Sequence, residues 1–151
     1  MKRLHTILTI VTLFLCSELN MTCTSAFPND DLDYMWRLDK VEFPGGIDFE
    51  GNECDFKTEG NVWYCFARDI VEIRRGKPGT SFFGKATMDS NLLTIDFSGY
   101  NRDTGYEPEK ILVKINALGL EASCTAYTID ELNGSTMILK GRKTRLYFTR
   151  W

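Results

Sequence analysis

Histidine is almost missing from this chain of 151 residues: the single imidazole is His5, close to the N-terminus. Everything after it lacks the base that Ser-His-Asp and Cys-His nucleophilic groups need. Histidine-bearing zinc and copper sites are excluded on the same ground. Basic charge is not in excess either, with 18 Lys and Arg against 21 Asp and Glu. A nucleic-acid partner would want a basic face, and electrostatic docking on anionic lipid would want the same. Heptads, internal repeats and low-complexity runs are lacking as well. So is helical periodicity beyond the first residues. The absences point away from catalysis, and no cofactor or metal is expected.

The N-terminus carries a targeting pattern. Lys2 and Arg3 precede an uncharged apolar stretch of ten residues from Ile7 to Cys16. A membrane-crossing helix needs about 20 residues, whereas ten suit the apolar centre of a signal peptide. A polar stretch follows, and the small residues Thr24 and Ala26 offer cleavage before Phe27. Alternatively Cys23 becomes a lipidated N-terminus, although Asn20 and Thr22 stand where a lipoprotein site prefers leucine and a small residue. The acidic run Asn29-Asp30-Asp31 suits a tether behind such a cysteine. A helix retained in the fold is the third reading. The division expected is a signal peptide over 1–26, a leader over 27–34 and one β-domain over 35–151. Removing 1–26 leaves 125 residues with 16 basic and 20 acidic side chains, enough for one core.

Period-two alternation recurs along those 125 residues, the mark of half-buried strands. Trp36 and Leu38 share one parity while Val41 and Phe43 share the other, so a first strand over 35–43 is expected to contain a bulge. A second strand is expected over 47–56 and a third from Val62. Val71 and Ile73 continue the pattern up to a turn at Gly76-Lys77-Pro78-Gly79. Further strands follow at 81–88, 93–97 and 111–117, with the longest loop between 101 and 109. The C-terminal part reads as a meander over 122–132, 136–140 and 145–151, and Asn133-Gly134 is a strong hairpin signal. Eight to ten short antiparallel strands joined by tight turns make an all-β protein, either a closed barrel or two packed sheets. Sequential hairpins favour the up-and-down barrel.

Cys54, Cys65 and Cys124 remain after processing. A hairpin centred between Glu59 and Gly60 would set Cys54 opposite Cys65, within reach of a disulfide; the alternative is two buried thiols. Cys124 is expected to point into the core.

Trp36-Arg37-Leu38 near the start, the meander Ile129–Lys140 and the closing Leu146-Tyr147-Phe148-Thr149-Arg150 together resemble the lipocalin-like (calycin) family. The similarity is to its short, exported members in Bacteroidetes-type bacteria. The resemblance implies that Trp36 packs at the closed end of the barrel beneath a C-terminal guanidinium from Arg145 or Arg150. The family's Gly-x-Trp motif departs here, because Tyr34 holds the glycine's place.

Three functions follow. The first is an exported binding protein for a small apolar ligand, with Trp63, Tyr64, Phe66, Phe82 and Phe83 lining a mouth or cavity. The alternative is an envelope surface or interaction lipoprotein with a filled barrel, whose partner is another envelope protein and whose only membrane contact is the lipid on Cys23. The third is an enzyme using the carboxylates Asp48 and Glu50 on one strand face; the segment matches no calcium-loop spacing, acidic residues on an exposed face are commonplace, and activity is not expected. Localisation is expected in the periplasm or cell envelope.

Overall fold

The computed structural model describes residues 31–76, 81–99, 116 and 118–151. The residues expected to form a signal peptide and leader up to 30, Cys23 among them, lie outside these, as does the strand expected over 111–117 apart from Asn116, which no strand includes. Among the described residues nine strands form one sheet: β1 (Met35–Glu42), β2 (Phe56–Thr58), β3 (Val62–Ala67), β4 (Ile70–Arg75), β5 (Ser81–Asp89), β6 (Leu92–Asp96), β7 (Cys124–Leu132), β8 (Thr136–Lys140) and β9 (Arg145–Arg150). Each of β3 to β9 pairs antiparallel with its sequence neighbour, and β9 returns to pair with β1. The sheet therefore closes into an up-and-down barrel, and closure removes the exposed edges an open sheet would carry.

The barrel has eight staves because β2 and β3 share one. Lys40 pairs with Thr58 and Arg37 with Trp63, both antiparallel to β1. β2 and β3 thus run the same way along β1, separated by a break at Glu59-Gly60-Asn61. No hairpin is centred there, contrary to the sequence expectation. Cys65 lies opposite Met35, whereas Cys54 lies beyond Phe56, past the Glu42 end of β1. About nine residues of strand separate those levels, roughly 30 Å. Both cysteines are free thiols. The break arose where alternation could not distinguish a turn reversing the chain from one that merely interrupts it.

The expected bulge in β1 is present: the register against β9 shifts between Leu38 and Lys40, which lets Leu38 and Val41 both face inward. The strand expected over 47–56 shrinks to Phe56–Thr58, and most of its residues form a loop with one isolated bridge, Ile47 to Glu53. Asp48 explains the loop. Its Oδ1 accepts the amides of Glu50 (2.9 Å) and Asn52 (3.0 Å), and its Oδ2 pairs with Lys57 Nζ at 2.9 Å. Those bonds curl the chain where a strand would need it extended, so Asp48 is a loop anchor.

Asn133 opens the β7–β8 turn as expected, but through its side chain: Oδ1 accepts the amides of Ser135 and Thr136. Two other hairpins turn on left-handed residues that are not glycine, Arg68 (φ 56°) between β3 and β4 and Ser90 (φ 55°) between β5 and β6.

The core is the barrel interior. Trp36, Leu38, Tyr64, Ile73, Leu93, Ile95, Tyr127, Leu146 and Phe148 are among the residues with at most 1 % exposure. On β7 the inward parity belongs to Thr125 and Tyr127, and Cys124 faces out, exposed. The expectation for Cys124 is corrected by size: burying Tyr127 removes far more apolar surface from water than burying a thiol.

Candidate functional site

Strand direction divides the barrel into two ends. At one, the chain enters at Leu32 and the β3–β4, β5–β6 and β7–β8 turns gather. At the other lie the 43–55 loop, the β8–β9 turn and the connection between β6 and β7.

The first end is shut. Leu32 is fully buried, and Trp36 Nε1 donates to its carbonyl at 3.2 Å. Phe66 N bonds the Tyr34 carbonyl at 3.0 Å and Arg68 N bonds Asp33 Oδ1 at 3.0 Å, fixing the entering segment against β3. Arg150 pairs in register with Trp36, but its guanidinium lies over the Tyr34 ring, 3.2 Å from the centroid. Nη1 also donates to the Gly134 carbonyl at 3.1 Å. Tyr34, which replaces the motif's glycine, thereby supplies the aromatic face for the closing cation. Arg145 is on the opposite parity, paired with Asp130 on the outside of the barrel.

Of the five aromatics expected to line a cavity, β3 and β5 divide the set. Tyr64 and Phe66 are buried inside, and Phe82 packs against the same core. Trp63 and Phe83 have the other parity and face out: Phe83 is 40 % exposed, and Trp63 meets the Trp151 ring edge-on at 6.4 Å. These two do not line the interior, because adjacent residues on a strand point to opposite faces. Beside Gly84 the interior is filled by Phe97. A Cβ at Gly84 would stand 2.8 Å from the Phe97 ring and 2.9 Å from the Asp96 carbonyl.

The second end is occupied by the chain itself. Leu118 and Leu120 are both fully buried. Tyr64 Oη donates to the Leu118 carbonyl at 2.8 Å, and Tyr127 Oη donates to the Gly119 carbonyl at 2.9 Å. Thr144 Oγ1 adds a second donor to Gly119 at 3.2 Å. Gly119 is required there. Its φ is +91°, and a Cβ would fall 2.4 Å from Leu146 Cδ2. Behind it, the Glu121 carboxylate accepts the amides of Lys143 and Thr144 and ties the segment to the β8–β9 turn. Burial pushes the hydroxyls of Tyr64 and Tyr127 far above the ordinary tyrosine range, so both remain neutral donors.

Tyr127, Thr144 and the 118–120 segment escaped the sequence reading. Tyr127 sits in the expected alternating strand, so its parity was available; that a loop dips into the barrel was not. A separate concavity of about 270 Å³ lies outside, lined by Asp69, Ile70, Gly84, Lys85, Asp96 and Gly99, and holds none of the expected aromatics. Among the described residues no group of three or more Cys, Asp or Glu is placed to hold a metal ion.

An eight-staved antiparallel up-and-down barrel, shut at one end by buried Trp36 with Arg150 stacked on the neighbouring Tyr34, is a lipocalin-like architecture. The chain belongs to the lipocalin-like domain family, whose model matches residues 14–151. Solved structures with this fold include an uncharacterized protein from Bacteroides eggerthii DSM 20697, 15 % identical, with a TM-score of 0.62 over 80 % of this chain and 99 % of that one. A lipocalin-like protein from Bacteroides uniformis ATCC 8492 is 18 % identical, with a TM-score of 0.54 and the same coverage. No curated protein matches the chain.

Proposed function

We propose that this protein is an exported, non-catalytic carrier whose barrel takes up a small apolar ligand through the end bordered by the 43–55 loop and the β8–β9 turn. The supporting observation is the barrel interior: walls of aliphatic and aromatic side chains carry two neutral hydroxyl donors, Tyr64 and Tyr127. Binding pockets combine mostly apolar walls with a few oriented polar groups in this way. The firmly shut Trp36 end leaves the opposite end as the route in. The N-terminal pattern, Lys2 and Arg3 before the apolar stretch to Cys16, supports delivery to the periplasm or envelope.

Native mass spectrometry of protein purified from the exported fraction tests the reading. The expected result is a mature mass beginning at Phe27, or at a lipidated Cys23, with a co-purifying apolar adduct. A bare protein that also takes up no fluorescent apolar probe would refute the carrier reading.

A further inference from the structure

We propose that Leu118-Gly119-Leu120 is a built-in occupant of the ligand site, and that the ligand replacing it is a long apolar molecule bearing a neutral carbonyl, such as an ester, ketone or amide. The inference rests on the carrier reading and names its ligand class.

The segment has the features of a bound ligand. It presents two apolar side chains to the interior and two carbonyl oxygens to donors on the wall, at 2.8 Å from Tyr64 and 2.9 Å from Tyr127. Both leucines are fully buried. Leaving these donors unpaired inside the barrel would be costly. Whatever displaces the segment must therefore bring an acceptor, and a plain hydrocarbon brings none.

The charge of that acceptor is also decided by the site. Among the described residues, the donors to these carbonyls are all uncharged hydroxyls: Tyr64, Tyr127 and Thr144. The charged group that meets them directly is a carboxylate: Thr144 Oγ1 lies 3.3 Å from Glu121 Oε1, and the cation paired with Glu121, Arg142, stands 4.0 Å away on its solvent side, 82 % exposed. An anionic head group would be desolvated against neutral donors with a like charge behind them, which disfavours it. A neutral carbonyl meets no such opposition.

The segment is also held under constraint. Gly119 stands at φ +91° with Leu146 packed where a Cβ would be. Gly119→Ala should therefore loosen the segment specifically, because its backbone conformation is one that other residues rarely adopt.

The test uses the full-length chain and three fluorescent apolar polyene probes: methyl cis-parinarate, cis-parinaric acid and the hydrocarbon diphenylhexatriene. Wild type should prefer the methyl ester over the acid and the hydrocarbon by about tenfold, the worth of one hydrogen bond. Gly119→Ala should tighten binding of all three probes, and adding Tyr64→Phe and Tyr127→Phe should abolish the preference for the ester. Independently of any variant, amide exchange at Leu118 to Leu120 in wild type should speed up when the ester binds. Binding with exchange at these amides unchanged or slowed would overturn this inference alone, as would a preference for the acid or the hydrocarbon. Failure of wild type and Gly119→Ala to bind any probe would overturn it together with the carrier reading.

Discussion

Removing the Tyr64 hydroxyl tests most directly whether the 118–120 segment is seated in the barrel. Tyr64→Phe keeps the ring, its edge-on contact with Phe148 (5.0 Å between centroids) and nearly all its buried area. It removes one bond, the 2.8 Å donation to the Leu118 carbonyl. Among the described residues no other donor reaches that carbonyl, so a buried acceptor loses its partner at a cost of about 1–3 kcal/mol. Tyr127→Phe should cost less, about 0.5–1.5 kcal/mol, because the Gly119 carbonyl keeps Thr144 Oγ1 at 3.2 Å. The double variant should lose less than the two singles combined. Once one bond is gone the segment can withdraw, and the second bond no longer has a fixed acceptor. Tyr147→Phe is the control. Its hydroxyl bonds Glu42 at 2.6 Å on the partly exposed outer face, where water can substitute, and it should cost no more than about 1 kcal/mol. Urea denaturation followed by tryptophan fluorescence reads all four. A Tyr64→Phe protein within about 0.5 kcal/mol of wild type, or strict additivity with Tyr127→Phe, would refute the seating of this segment.

Gly84→Val should destabilise by about 1–3 kcal/mol through overpacking against Phe97, whereas Gly45→Ala, with open space around it, should leave the midpoint unchanged. Arg150→Ala should cost about 0.5–2 kcal/mol by removing the guanidinium from Tyr34, and Arg150→Lys should recover only part of that in the same urea assay. The Asp48 carboxyl is lowered from 3.8 to about 2, chiefly by its bond to Lys57 and then by the Asn52 amide. The native state therefore holds this proton less tightly than the unfolded chain, and the stabilisation is present above about pH 4 and lost as pH falls towards 2. Asp48→Asn should flatten the stability profile across that window, measured by thermal melts at stepped pH. Iodoacetamide under denaturing, non-reducing conditions should alkylate Cys54, Cys65 and Cys124 alike; a protein with two unreactive cysteines would restore the bridge that the strand geometry rules out.

Local periodicity was enough to identify the strands, because alternation over 81–88 or 145–151 is a property of each strand and survives whatever the strand packs against; sequential hairpins then favoured the barrel, and the β1–β9 pairing closes it. The bulge in β1 was legible for the same reason: Leu38 and Val41 can both be buried only if an extra residue intervenes. The resemblance offered Trp36 with either Arg145 or Arg150 as the closing pair; Arg150 is the one at that end, and its guanidinium stacks on Tyr34. Beyond that point the sequence runs out of local information. Whether Gly60 reverses the chain or interrupts a stave depends on how β1 is shared between β2 and β3. Which parity of β7 faces inward depended on the competing bulk of Tyr127 and Cys124. Above all, a Leu-Gly-Leu stretch becomes an occupant of the barrel only because Tyr64, 54 residues away in sequence, and Thr144, 25 residues away, converge on its carbonyls. The sequence by itself determined a histidine-poor succession of antiparallel strands joined by tight turns. Tertiary structure decided what fills the open end of the barrel, because hydrogen bonds between distant residues leave no periodic trace in the chain.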